Sequence, residues 1–152
     1  MSDNAVGIVI TGSFVVQNGA KILRERNLNG DVFRALCRQH LAGNTSNPLI
    51  RRKVFEQVGL FDEQMAAAQD TDLWLRIAKH YDFATVNEPL ALIHWQASDR
   101  ITLNYRTRVQ GMYRLLRKHW ADLHPGRKYQ LFKRVVRMSV AALSKSFVRP
   151  RT

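Results

Sequence analysis

A chain of 152 residues with 45% hydrophobic content can bury one modest core, so one compact region plus appendages is expected, with no second full domain. Its net charge of +12 is a property of the C-terminal third: residues 1–99 carry ten Lys/Arg against eleven Asp/Glu, whereas residues 100–152 carry fourteen against Asp122 alone. That asymmetry points to a polyanionic partner, an anionic membrane surface or nucleic acid, for the tail rather than for the first hundred residues. The single cysteine, Cys37, cannot close an internal disulfide, and a reducing cytosolic setting follows as the simplest expectation.

The opening segment has no basic n-region, and its apolar run is too short for a secretion signal or membrane span. From Val6 to Val16 it is rich in Val, Ile, Phe and Thr, with Gly12 interrupting, and reads as strand, kink, strand. Asn18-Gly19 signals a turn into a second extended run through Ile22 and Leu23. Asp31 can then cap a helix whose apolar positions Val32, Phe33, Leu36, Cys37 and Leu41 recur at helical spacing, with Gly43 ending it. Residues 46–50 read as a buried strand, and a short helix from Arg51 through Val54, Phe55 and Val58 stops at Gly59. After a loop over 60–69, Asp70 is placed to cap the clearest helix. Trp74, Ile77, Ala78 and Tyr81 fall on one face of it, and Asp72 and Arg76 form an i,i+4 pair. Two strand pieces, 83–86 and 90–93, are expected to be separated at Pro89, and two helices, 105–120 and 127–147, close the chain around His124-Pro125-Gly126.

The stretch from Asn44 to Arg76, NTSNPLIRRKVFEQVGLFDEQMAAAQDTDLWLR, resembles the family-2 glycosyltransferases of the GT-A type. A small-residue strand and an R-x-x-F-x-x-V-G-x-F-D-E segment there precede an acidic pair and D-L-W-L-R. The run Asn87-Glu88-Pro89-Leu90 and the later Arg100-Ile101-Thr102 extend the likeness to about residues 5–120. The resemblance implies an α/β fold: a partial GT-A (Rossmann-like) mixed sheet flanked by helices with a C-terminal helical extension, residues 1–122 forming the C-terminal half of the domain and 123–152 a basic amphipathic tail. It also implies transfer of a sugar from a nucleotide-sugar to a hydroxyl acceptor, glycan or lipid-linked, with inversion. Asp70, second of the pair, takes the role of general base, because a sugar hydroxyl is a poor nucleophile until a carboxylate removes its proton. The alternative reading of Asp70 is an ordinary helix cap. Asn44, Ser46, Asp62 and Gln69 fall on the acceptor side, with capping the favoured reading of Asp62 and a core anchor that of Trp74.

The sequence departs from the family pattern in two places, at Gln69 and at His94 with Gln96. Gln69 stands where Glu is usual, and His94 and Gln96 replace an Arg and a His, so His94 is read as a strand residue and not as a metal ligand. Asp70-Thr71-Asp72 could pass for the metal-binding Asp-x-Asp signature, but that motif belongs at a strand end, whereas these two open a helix and Asp72 has Arg76 as partner. The divalent cation (Mn or Mg) expected of the complete enzyme would have its ligands outside this chain, with the nucleotide-binding half before Met1.

In the tail, Leu131, Val135, Met138 and Ala142 lie on one side with Phe132, Val136, Val140, Leu143 and Phe147 beside them, and Lys128, Lys133, Arg134, Arg137, Lys145, Arg149 and Arg151 supply the charge. Two readings stay open: an interfacial helix meeting an anionic surface at the inner membrane face, and a helix packed on the domain with a solvated basic face. No groove-reading or stacking motif supports nucleic acid. Against catalysis stands a non-catalytic module binding acceptor, anionic membrane or a partner chain, and the half sheet is expected to self-associate through its uncovered apolar surface.

Overall fold

The computed structural model describes residues 5–39, 45–94 and 105–147. It divides into two compact units, Met1–Phe61 with Asp70–Ser98, and Asp62–Gln69 with Asp99–Thr152.

The first unit is built on one long strand, β1 (Val6–Gln17). Asn18 and Gly19 both have positive φ, 50° and 79°, as the two central residues of a tight hairpin require, and return the chain as β2 (Ala20–Arg24), antiparallel with Gln17 opposite Ala20. β3 (Pro48–Ile50) pairs antiparallel with the other half of β1, Ile8 opposite Ile50. β4 (Asp82–His94) lies along the opposite edge, parallel to β1. The sheet is therefore mixed, as expected of an α/β fold, with β1 at its centre. The expected break at Pro89 is instead a bulge: Thr11 pairs with Val86 and Gly12 with Pro89, so β4 continues with Asn87 and Glu88 as extra residues. Gly12 permits this, since a Cβ there would lie 3.1 Å from the Glu88 carbonyl oxygen and 3.3 Å from that of Asn87. Glycine thus accommodates the protruding backbone where sequence suggested a kink. β3 is also not buried: Leu49 is 73% exposed, because β3 is a three-residue edge strand.

The helices of this unit are α1 (Phe33–Arg38), α2 (Arg52–Val58) and α3 (Gln69–Ala78), the last belonging to it from Asp70 onward. α1 stops short of the expected span, and Leu41 and Gly43 lie outside the described residues. α2 ends at Gly59, where φ is 77°. α3 ends before Tyr81, which instead packs its ring on Gly7; a Cβ on Gly7 would meet that ring at 2.6 Å. Thr71, Asp72, Leu73, Trp74, Leu75, Ile77 and Ala78 are all buried, so α3 is an interior helix, and Ile8, Ile10, Val54 and Phe83 are buried with it in this unit.

The second unit contains the loop 62–69, α4 (Tyr105–Lys118) and α5 (Pro125–Phe147). α4 packs on α5, and Leu115, Leu116, Leu123 and Met138 are buried. Gly111, midway along α4, brings the helix onto the loop: a Cβ there would clash with the Ala67 carbonyl oxygen and lie 2.7 Å from its carbon and 2.8 Å from its nitrogen. No described helix is long and apolar enough to cross a membrane.

Candidate functional site

Asp70 lies inside the first turn of α3, not at its cap, because the helix begins one residue earlier at Gln69. The chain turns into it at Ala68, whose φ of 64° is unusual for a residue with a side chain. Gln69 holds the entry through its Nε2, which donates to the Met65 carbonyl at 2.8 Å. The half-buried Asp70 carboxylate accepts from the Thr71 amide at 2.6 Å and the Thr71 hydroxyl at 3.2 Å, both through Oδ1. Its Oδ2 has no hydrogen-bond partner among the described residues. The result is one oxygen oriented and one uncommitted, in the first turn of α3.

Asp72 is placed differently, although only one residue separates the two. It is fully buried, and its Oδ2 accepts from Arg76 Nε at 2.9 Å. The same guanidinium donates to the carbonyls of Val58, of Gly59 at 3.2 Å and of Leu60 at 2.8 Å. Arg76 thereby satisfies carbonyls left open where α2 ends and ties them to α3. An Asp72 closed on arginine is no metal ligand, and the described residues contain no cluster of three or more His, Cys, Asp or Glu able to hold a cation. The Asp70-Thr71-Asp72 sequence does not fit the family's divalent cation.

Trp74 is 2% exposed, a core anchor as its helical face suggested, though its Nε1 has no hydrogen-bond partner among the described residues. Ser46 and His94 are exposed, and His94 pairs in register with Val16. Asn44 and Gln96 lie outside the described residues. Ser46 and Asp70 belong to the first unit, Asp62 and Gln69 to the second.

Asp62 caps its loop, its Oδ1 accepting from the Gln64 amide at 3.1 Å. It also binds α4, with Arg114 Nε and Lys118 Nζ each 3.2 Å from Oδ2. Burial alone would raise its pKa, but the hydrogen bonds from Lys118, Arg114 and the Gln64 amide, with the Lys118 charge, hold it below the ordinary carboxylate value. Arg114 and Lys118 escaped the sequence reading because nothing local links them to an acid some fifty residues upstream. Gly111 did leave a signal, since glycine inside a helix costs about 1 kcal/mol and needs a packing reason.

Comparison with curated protein sequences gives no match. The family model described as glycosyltransferase-like family 2 matches residues 12–125, from β1 through α4 and spanning the loop 62–69 and the first turn of α3. With three quarters of its length inside that match, the chain belongs to the family-2-like glycosyltransferases.

Proposed function

We propose that this domain transfers a sugar from a nucleotide-sugar to a hydroxyl acceptor, a glycan or a lipid-linked sugar, with Asp70 as general base. The acceptor oxygen bonds to the anomeric carbon as its proton passes to the Asp70 carboxylate. The bond from that carbon to the nucleotide diphosphate breaks on the opposite side, and its electron pair leaves with the diphosphate. A single displacement of this kind inverts the anomeric centre. The observation that carries the reading is Asp70 itself, a half-buried carboxylate in the first turn of α3, within the matched span, with one oxygen oriented and one uncommitted. Ser46, Asp62 and Gln69 are the described residues assigned from sequence to the acceptor side, and Asn44, assigned with them, lies outside the described residues. No step is routed through a metal, because the described residues do not fit one.

The setting implied is the cytoplasmic face of a membrane, where the basic residues 127–151 meet an anionic surface. In a protein that joins this chain to a nucleotide-binding half, isothermal calorimetry with a nucleotide-sugar panel plus manganese should reveal the donor. With that donor and its acceptor, Asp70→Asn should lower kcat by about 10²- to 10⁴-fold, with KM and the far-UV circular dichroism unchanged. Turnover retained in the variant would overturn the assignment of the base, and a chain that neither binds nor turns over any donor would point to the non-catalytic module.

A further inference from the structure

An exposed helix face normally carries polar side chains, and α5 departs from that rule. Arg127 and Met138 are buried and Leu131 and Val135 half-buried, which defines its inner side, and α5 packs on α4. At 3.6 residues per turn, Tyr129, Phe132, Val136 and Val140 fall on the opposite side. They are 65%, 59%, 44% and 61% exposed, a continuous apolar stripe facing solvent. Trp120, just before the helix, is exposed too, with Lys128 Nζ 4.7 Å from the centre of its ring, and Lys133 Nζ stands 5.9 Å from that of Tyr129. Lys133 and Arg137 flank the stripe and are exposed. Arg134 adds further positive charge, its pKa lowered by burial and by the like charge of Arg108.

We propose that the outer face of α5, centred on Tyr129, Phe132, Val136 and Val140, is a docking surface for an anionic lipid bilayer, the helix lying in the plane of the interface. The proposal deepens the reading of residues 127–151 as a membrane contact and rests on it. Three features select this occupant. Exposed Trp and Tyr beside Lys suit the headgroup level, where an amphipathic ring has one wet end. Branched aliphatic side chains at the centre of the stripe suit acyl chains and offer no platform for stacked bases. A second copy on this face would bring together two surfaces from a region with fourteen Lys/Arg and one acid, which repel.

The test is co-sedimentation of the full chain with phosphatidylcholine vesicles containing about one-third phosphatidylserine, and with pure phosphatidylcholine vesicles. Binding to the first and not the second is expected. Lys133→Gln with Arg137→Gln should weaken it roughly 30-fold, about fivefold for each cation. Phe132→Ser with Val136→Ser should weaken it at least about tenfold, with helical circular dichroism retained because both positions are exposed. Asp70→Asn should bind like the parent, so failure of the catalytic reading leaves this result untouched. No binding to anionic vesicles, equal binding by the Ser variant, or a dimer dispersed by that variant would each overturn the proposal. Binding of a nucleic acid duplex that the Ser variant retains, with vesicles ignored, would do so as well.

Discussion

Asp70 and Asp72 sit two residues apart in one helix, yet burial gives them opposite tasks. Asp72 is sealed with Arg76 and serves the fold, whereas Asp70 is half-buried with an uncommitted oxygen. Removing one partner of a buried ion pair leaves the other charge stranded, so Asp72→Ala should cost about 3–5 kcal/mol in urea unfolding. Asp70→Asn keeps an oxygen for the Thr71 amide and should stay within about 1 kcal/mol of the parent. Equal losses would mean that both residues are structural. Asp62 makes a pH prediction. A carboxylate whose pKa falls on folding stabilises the fold above its unfolded value of about 4 and loses that contribution as pH drops through the lower folded value. Acidification below about pH 4 should therefore release the loop 62–69 from Arg114 and Lys118, raising amide hydrogen exchange at Gln64 and Met65. Asp62→Asn should remove that pH dependence.

At the scale of elements, the turns and helix interiors were legible because their signals are local. Asn18-Gly19 specifies a hairpin through positive φ, and the i,i+4 spacing of Asp72 and Arg76 specifies their pairing. Boundaries were less legible: α3 begins a residue before the expected cap because the chain turns at Ala68, and β4 runs through Pro89 because Gly12 leaves room opposite. α4 depends on a similar absence of side chain. Gly111→Ala must push the helix away from the Ala67 backbone, and overpacking of this kind costs about 1–3 kcal/mol, which outweighs the gain of about 1 kcal/mol in helix propensity. A lower urea midpoint is the expected result; a higher one would mean that the loop yields freely.

For the whole chain, two properties set how it meets its surroundings. Leu49, Leu90 and Leu92 of the sheet are exposed, each by more than half of its surface, and Ile22, Leu23 and Val86 are exposed to a lesser degree. We expect the chain to self-associate in sedimentation velocity through these residues, and Leu49→Thr with Leu92→Thr to reduce it. A monomer at all concentrations would count against that. The second property is charge, concentrated after residue 100, where it accompanies the apolar outer face of α5.

Sequence by itself determined the family, the α/β order of elements, the hairpin, the apolar face of the Trp74 helix with its ion pair and the basic tail, because each rests on local spacing or on a run of motif residues. Tertiary structure alone decided which carboxylate is sealed and which keeps an uncommitted oxygen, that Arg76 closes the end of α2, that Asp62 is bound by α4, and which of the two apolar stripes of α5 is packed. Those depend on contacts between residues far apart in the chain, where neither periodicity nor composition carries a signal.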